Sequence, residues 1–62
     1  MKKYYRVSFQ YSETTYCTNI AKADNAEAVS DHYSRYAWHK VSEADAGDIS
    51  EAERKGMPII EI

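Results

Sequence analysis

The sequence is poor in the residues that staple, kink or cradle: one cysteine, one proline and two glycines in 62 positions. Cys17, alone, allows no internal disulfide. That suits a reducing compartment, and a cytoplasmic location is expected. Zinc sites need three or four well-spaced ligands. Here the only thiol and imidazoles are Cys17, His32 and His39, with no Cys-x-x-Cys or His-x-x-x-His. No metal or cofactor is expected, so the fold should survive chelation and reduction. A melting temperature that collapses with a chelator would refute this. The glycines, at 47 and 56, stand apart and make no phosphate-cradling loop. No apolar run approaches the roughly 18–20 residues of a membrane span. Lys2 and Lys3 are followed by Tyr4-Tyr5-Arg6, where a signal peptide would carry its apolar stretch, so no targeting segment is expected.

What is present reads as one small globular domain over residues 1–62, 44% hydrophobic and 29% charged. Such a domain hides only about 60% of the surface its unfolded chain exposes. Its core supplies roughly 3–5 kcal/mol. A nucleophilic site would need Cys17 or a serine beside a base and an orienting acid. Nothing in the sequence points to one, and so short a chain leaves little room for a substrate pocket. An enzyme is not expected.

Tyr5, Val7, Phe9 and Tyr11 alternate with Tyr4, Arg6, Ser8 and Gln10, which predicts a strand over 4–11 with one buried face. Ser12-Glu13 makes a tight connection to a second strand over 14–22, whose weaker alternation does not settle its buried face. Asp24 and Glu27 have capping-box spacing and predict a helix from Asp24 to Tyr36. Ala26, Val29, Tyr33 and Tyr36 form its apolar stripe, and Asp31 and Arg35 an i,i+4 ion pair. A short strand is expected over 37–42, then a loop over 43–47. A second, two-turn helix starts at Asp48 or Ser50 and is capped by Gly56. The final strand, over 57–62, lies at an edge or strand end because of Pro58. The order β-β-α-β-α-β predicts an α+β fold: two layers, a small mixed sheet with one main helix on one face. A crossover from the second strand through the helix would set the second and third strands parallel. The core is expected from Tyr5, Val7, Phe9, Ile20, Val29, Tyr33, Val41, Ile60 and Ile62.

Charge is uneven. Residues 1–42 carry six basic and four acidic side chains; residues 43–62 carry two and six. The net charge of −2 gives no overall field for nucleic acid. Glu43, Asp45, Asp48 and Glu51 form a candidate acidic patch that could attract a basic partner.

The aromatic surplus says more. Six tyrosines, Trp38 and Phe9 exceed what so small a core can bury. Exposed Tyr and Trp are enriched at binding hot spots. Tyr4 shares a predicted strand face with Arg6, and Trp38 with Lys40. If those strands are neighbours, one open face carries Tyr4, Arg6, Trp38 and Lys40. Such a face suits binding to another protein, or to itself as a homodimer. It also resembles a sheet that stacks single-stranded bases, so a nucleic-acid-binding domain is an alternative. Trp38 should be at least partly exposed on a surface shared with Tyr4 and Arg6.

The Lys-Lys-Tyr-Tyr-Arg-Val start, the Asp-Asn-Ala-Glu-Ala-Val helix opening and the Lys-Gly-Met-Pro-Ile-Ile-Glu-Ile end cover about a third of the chain. In these the chain resembles the short uncharacterised proteins of gut Firmicutes and their mobile elements. The resemblance implies a bacterial cytoplasmic protein and carries over no functional residue. Such elements also encode inhibitors of host defence, anti-CRISPR proteins among them. An inhibitor that sets its acidic C-terminal third in a basic nucleic-acid groove is therefore a further alternative to a non-enzymatic protein–protein interaction module.

Overall fold

The computed structural model describes residues 1–62 and shows strands β1 (Lys3–Gln10), β2 (Tyr16–Ala23), β3 (His39–Glu43) and β4 (Ile59–Glu61). Helices α1 (Ala26–His32) and α2 (Ala46–Arg54) lie between them in the expected β-β-α-β-α-β order. The four strands form one sheet in the order β3-β1-β2-β4. β1 runs antiparallel to β2 and to β3, and β4 runs parallel to β2, so the sheet is mixed. β2 and β3 share a direction, as a crossover requires, but β1 lies between them. The β1–β2 hairpin closes locally, and α1 carries the chain across β1 to its far edge.

The odd positions of β1 face α1. Tyr5, Val7 and Phe9 pack there with Ala21, Ala23, Val29 and Tyr33 in one buried cluster. Cys17, Tyr36, Val41, Ile60 and Ile62 are partly buried at its border. The register places Ala21 opposite Tyr5 and Cys17 opposite Phe9, so the odd positions of β2 share that face. Small alanines sit where helix and sheet approach, which volume alone explains and hydrophobicity does not reveal. Ile20, expected in this core, is buried on the other face, where α2 lies with its buried Ala52. The sheet and α1 thus form the main core, and α2 partly covers the opposite side.

Several element ends depart from the sequence expectation. The β1–β2 connection occupies residues 11–15, closed by Tyr11 N–H donating to the Thr15 carbonyl at 2.9 Å, so β2 starts at Tyr16. Asn25, not Asp24, caps α1: its side-chain oxygen accepts from the Ala28 N–H at 2.8 Å. Such a cap contributes about 1 kcal/mol. α1 stops at His32 because the chain tightens into i→i+3 bonds, Tyr33 N–H to Ser30 and Tyr36 N–H to Tyr33. That turn stacks Tyr33 and Tyr36 on Phe9, with ring centroids 4.9 and 4.6 Å away. Asp31 and Arg35 therefore do not pair; Arg35 lies over the Tyr36 ring instead, 5.2 Å from its centroid. Ala26 is exposed rather than part of the apolar stripe.

The expected loop over 43–47 is cut short. Ala44 N–H still donates to the Tyr4 carbonyl at 3.1 Å, and the next residue caps α2. Asp45 accepts from Asp48 N–H at 2.8 Å while Asp48 accepts from Asp45 N–H at 3.1 Å, a reciprocal capping box. At the other end Gly56 has φ 70°. Gly56 N–H donates to Glu53 at 3.1 Å and Met57 N–H to Ala52 at 2.9 Å, the paired bonds of a Schellman end. β4, after Pro58, is an edge strand.

Candidate interaction face

The even positions of β1 face α2 or solvent. Across this face the register makes rows: Lys40, Ser8 and Thr18; then Ser42, Arg6, Ile20 and Ile59; then Tyr4, Lys22 and Glu61. Beyond the first row Gln10 lies between Tyr16 and Trp38: it pairs with Tyr16, and its N–H donates to the Trp38 carbonyl at 2.9 Å. The Tyr16 and Trp38 rings meet edge to face, centroids 5.9 Å apart at 72°. Tyr16 is 65% exposed, Trp38 44% and Tyr11, in the adjoining hairpin loop, 67%. Lys40 is exposed beside them.

The four expected face residues therefore belong to one side of the sheet but fall into separate groups. Trp38 and Lys40 join Tyr16 at the hairpin end. Tyr4 is half-buried six residues away along β1, about 20 Å at the usual strand rise. It receives the Lys22 ammonium over its ring, 5.6 Å from the centroid. Arg6 lies between the groups, in an open hollow of about 280 Å³ under α2, where Asp48, Glu51 and Lys55 also line the wall. The helix thus divides the face. Tyr16 is the residue that the sequence reasoning did not place in the site. A two-residue connection at 12–13 would set Tyr16 opposite Phe9, on the other face; the five-residue loop sets it opposite Gln10.

The acidic patch is drawn into α2. Asp45 and Asp48 cap the helix, and Glu51 pairs with Lys55 at 2.7 Å. Glu43 ends β3 and is exposed. The Lys55 hydrogen bond, followed by the Lys55 charge, holds the Glu51 carboxyl below its ordinary 4.5, against slight desolvation. A depressed carboxylate contributes stability above its unfolded value and loses it as pH falls through its folded value. Urea melts of Glu51→Gln should therefore differ from those of the parent at pH 7 and converge with them as pH falls below the ordinary 4.5 and through the lowered value. A difference that persists in acid would remove the ion-pair assignment.

Cys17 is half-buried on its strand. The His39 ring bonds Ser30 Oγ at 2.8 Å. No group of three or more His, Cys, Asp or Glu side chains is placed to hold a metal. No helix is long and apolar enough to cross a membrane. Comparison with protein-family models, with curated proteins and with solved structures finds no match.

Proposed function

We propose that the chain is a small non-enzymatic, cytoplasmic module that binds another protein through the hairpin end of its sheet. The observation that carries this reading is the exposed edge-to-face pair of Tyr16 and Trp38, flanked by Tyr11 and Lys40. Rigid aromatics lose little conformational entropy on docking, and Trp and Tyr dominate binding hot spots. Affinity capture with the intact chain as bait supplies candidate partners, and the affinity of each purified candidate is then measured. Trp38→Ala should weaken binding by more than about 1 kcal/mol. Arg6→Ala, in the hollow under α2, should leave it nearly unchanged. Equal affinities for parent and Trp38→Ala would remove this reading.

Lys40 beside stacked aromatics also supports a second reading, single-stranded nucleic acid on the same face. Oligonucleotide affinity that falls with salt and is lost in Trp38→Ala would select it. An inhibitor acting through the acidic third is less favoured, since Asp45, Asp48 and Glu51 are already spent on caps and an ion pair within α2. Tight binding to a basic nuclease, abolished by Glu43→Ala, would revive it.

A further inference from the structure

The two edges of the sheet are unlike. β4 is three residues long and follows Pro58, which blunts it as a pairing template. β3 has five residues and neither proline nor glycine. On its inner side Gln10 N–H donates to the Trp38 carbonyl and Ala44 N–H to the Tyr4 carbonyl. In an antiparallel ladder these orientations alternate, so Lys40 and Ser42 also turn their backbone groups toward β1. The N–H and C=O groups of His39, Val41 and Glu43 then point outward, away from the sheet. Glu43 is exposed, and His39 and Val41 are only half-buried, so α1 leaves this edge open.

We propose that β3 pairs with the β3 of a second copy, antiparallel, about a two-fold axis through Val41. The register follows from the outward groups. Val41 lies opposite the partner's Val41, His39 opposite the partner's Glu43 and Glu43 opposite the partner's His39. All three positions are hydrogen-bonded pairs, so each outward N–H and C=O finds an acceptor or donor. The side chains of these positions share the α1 face, where directly opposed residues are neighbours. Each end of the pair thus sets an imidazole beside a carboxylate. The Ser30 bond to His39 Nε2 leaves the other ring nitrogen free for it. Moving the axis by one residue sets Val41 against His39 or Glu43, and moving it by two sets His39 against His39 or Glu43 against Glu43, so only the axis through Val41 gives both polar side chains complementary partners. An isologous contact of this kind closes on itself, which suits a dimer and stops further addition at this edge. The pairing uses the edge of β3, not the Tyr16–Trp38 pair, and stands independently of the function proposed above.

Sedimentation of the intact chain across a concentration series tests it. The parent should show a monomer–dimer equilibrium by about 1 mM, the weak end of specific affinity. Val41→Pro removes an outward N–H and none of the bonds to β1, at the cost of some packing at the core border, and blocks the pairing, so it should sediment as a folded monomer. His39→Glu sets carboxylate against carboxylate twice and should also be monomeric. The double exchange His39→Glu with Glu43→His restores opposite partners at both ends and should dimerise again. This exchange keeps the test open if Val41→Pro fails to fold by circular dichroism. Trp38→Ala should dimerise like the parent. A parent that stays monomeric at the highest concentration overturns the proposal. So does a dimer that persists in folded His39→Glu, or one lost in Trp38→Ala but kept in Val41→Pro.

Discussion

Phe9→Ala is expected to leave the chain largely unfolded at 25 °C. Phe9 sits at the centre of the core, 5% exposed, with the rings of Tyr33 and Tyr36 against it at 4.9 and 4.6 Å. Truncating a buried Phe typically costs about 3–5 kcal/mol, from lost transfer energy and from the cavity left behind. A core of this size supplies roughly the same amount in total. The two tyrosines owe their positions to the turn after α1, so losing Phe9 also removes the surface that orders this segment. The measurement is a urea melt followed by circular dichroism. The variant should lack a cooperative transition, while Tyr11→Ala, at an exposed loop position, should stay within about 0.5 kcal/mol of the parent. A folded Phe9→Ala with a loss below about 1 kcal/mol would mean that the aromatic stack does not hold the fold.

The second large effect is expected at Gly56. Its φ of 70° lies in the left-handed region, and a Cβ built there meets nothing within 4 Å. A substitution is therefore opposed by backbone conformation alone, with no clash for neighbours to relax. That conformation costs an L-residue about 1–2 kcal/mol, and a β-branched side chain tolerates it worst. Gly56→Val should lose about 2 kcal/mol. Relieving the strain would break the bonds from Gly56 and Met57 to Glu53 and Ala52, which stop the helix. Gly47 is the contrast. It lies in the first turn of α2, where alanine gains up to about 1 kcal/mol of helix propensity. A Cβ there meets Asp45 Oδ1 at 3.2 Å, the oxygen that caps the helix, and this contact offsets part of that gain. Stability should thus fall far more in Gly56→Val than in Gly47→Ala. Equal and negligible changes in the two melts would remove the cap assignment.

Local signals in the sequence determined the element order, the α+β class and the buried face of β1. Period-two alternation over 4–11 can satisfy only one packing direction, though Tyr11 itself falls in the hairpin loop and is exposed, and Gly56 with Pro58 can only end a helix and open an edge strand. The same parity put Tyr4 with Arg6 on one face of their strand and Trp38 with Lys40 on one face of theirs, and the excess of aromatics required that some meet water; the register of β3 with β1 set the two pairs on one side of the sheet. Tertiary structure alone decided the rest. The face of β2 followed from its register with β1, because Thr18, Asn19, Ile20 and Ala21 carry no alternation of their own. α1 ended early, where a tight turn sets the Tyr33 and Tyr36 rings on Phe9. The candidate site was split as well. α2 buries Ala52 on the face that carries Ile20 and, with exposed Arg6, lines the hollow that lies between Tyr4 and Trp38. Tyr16 joined Trp38 because a five-residue loop shifted the hairpin register. Spacing along a chain specifies which way a side chain points within its own element, whereas its neighbours depend on how separate elements share the little apolar surface available to them.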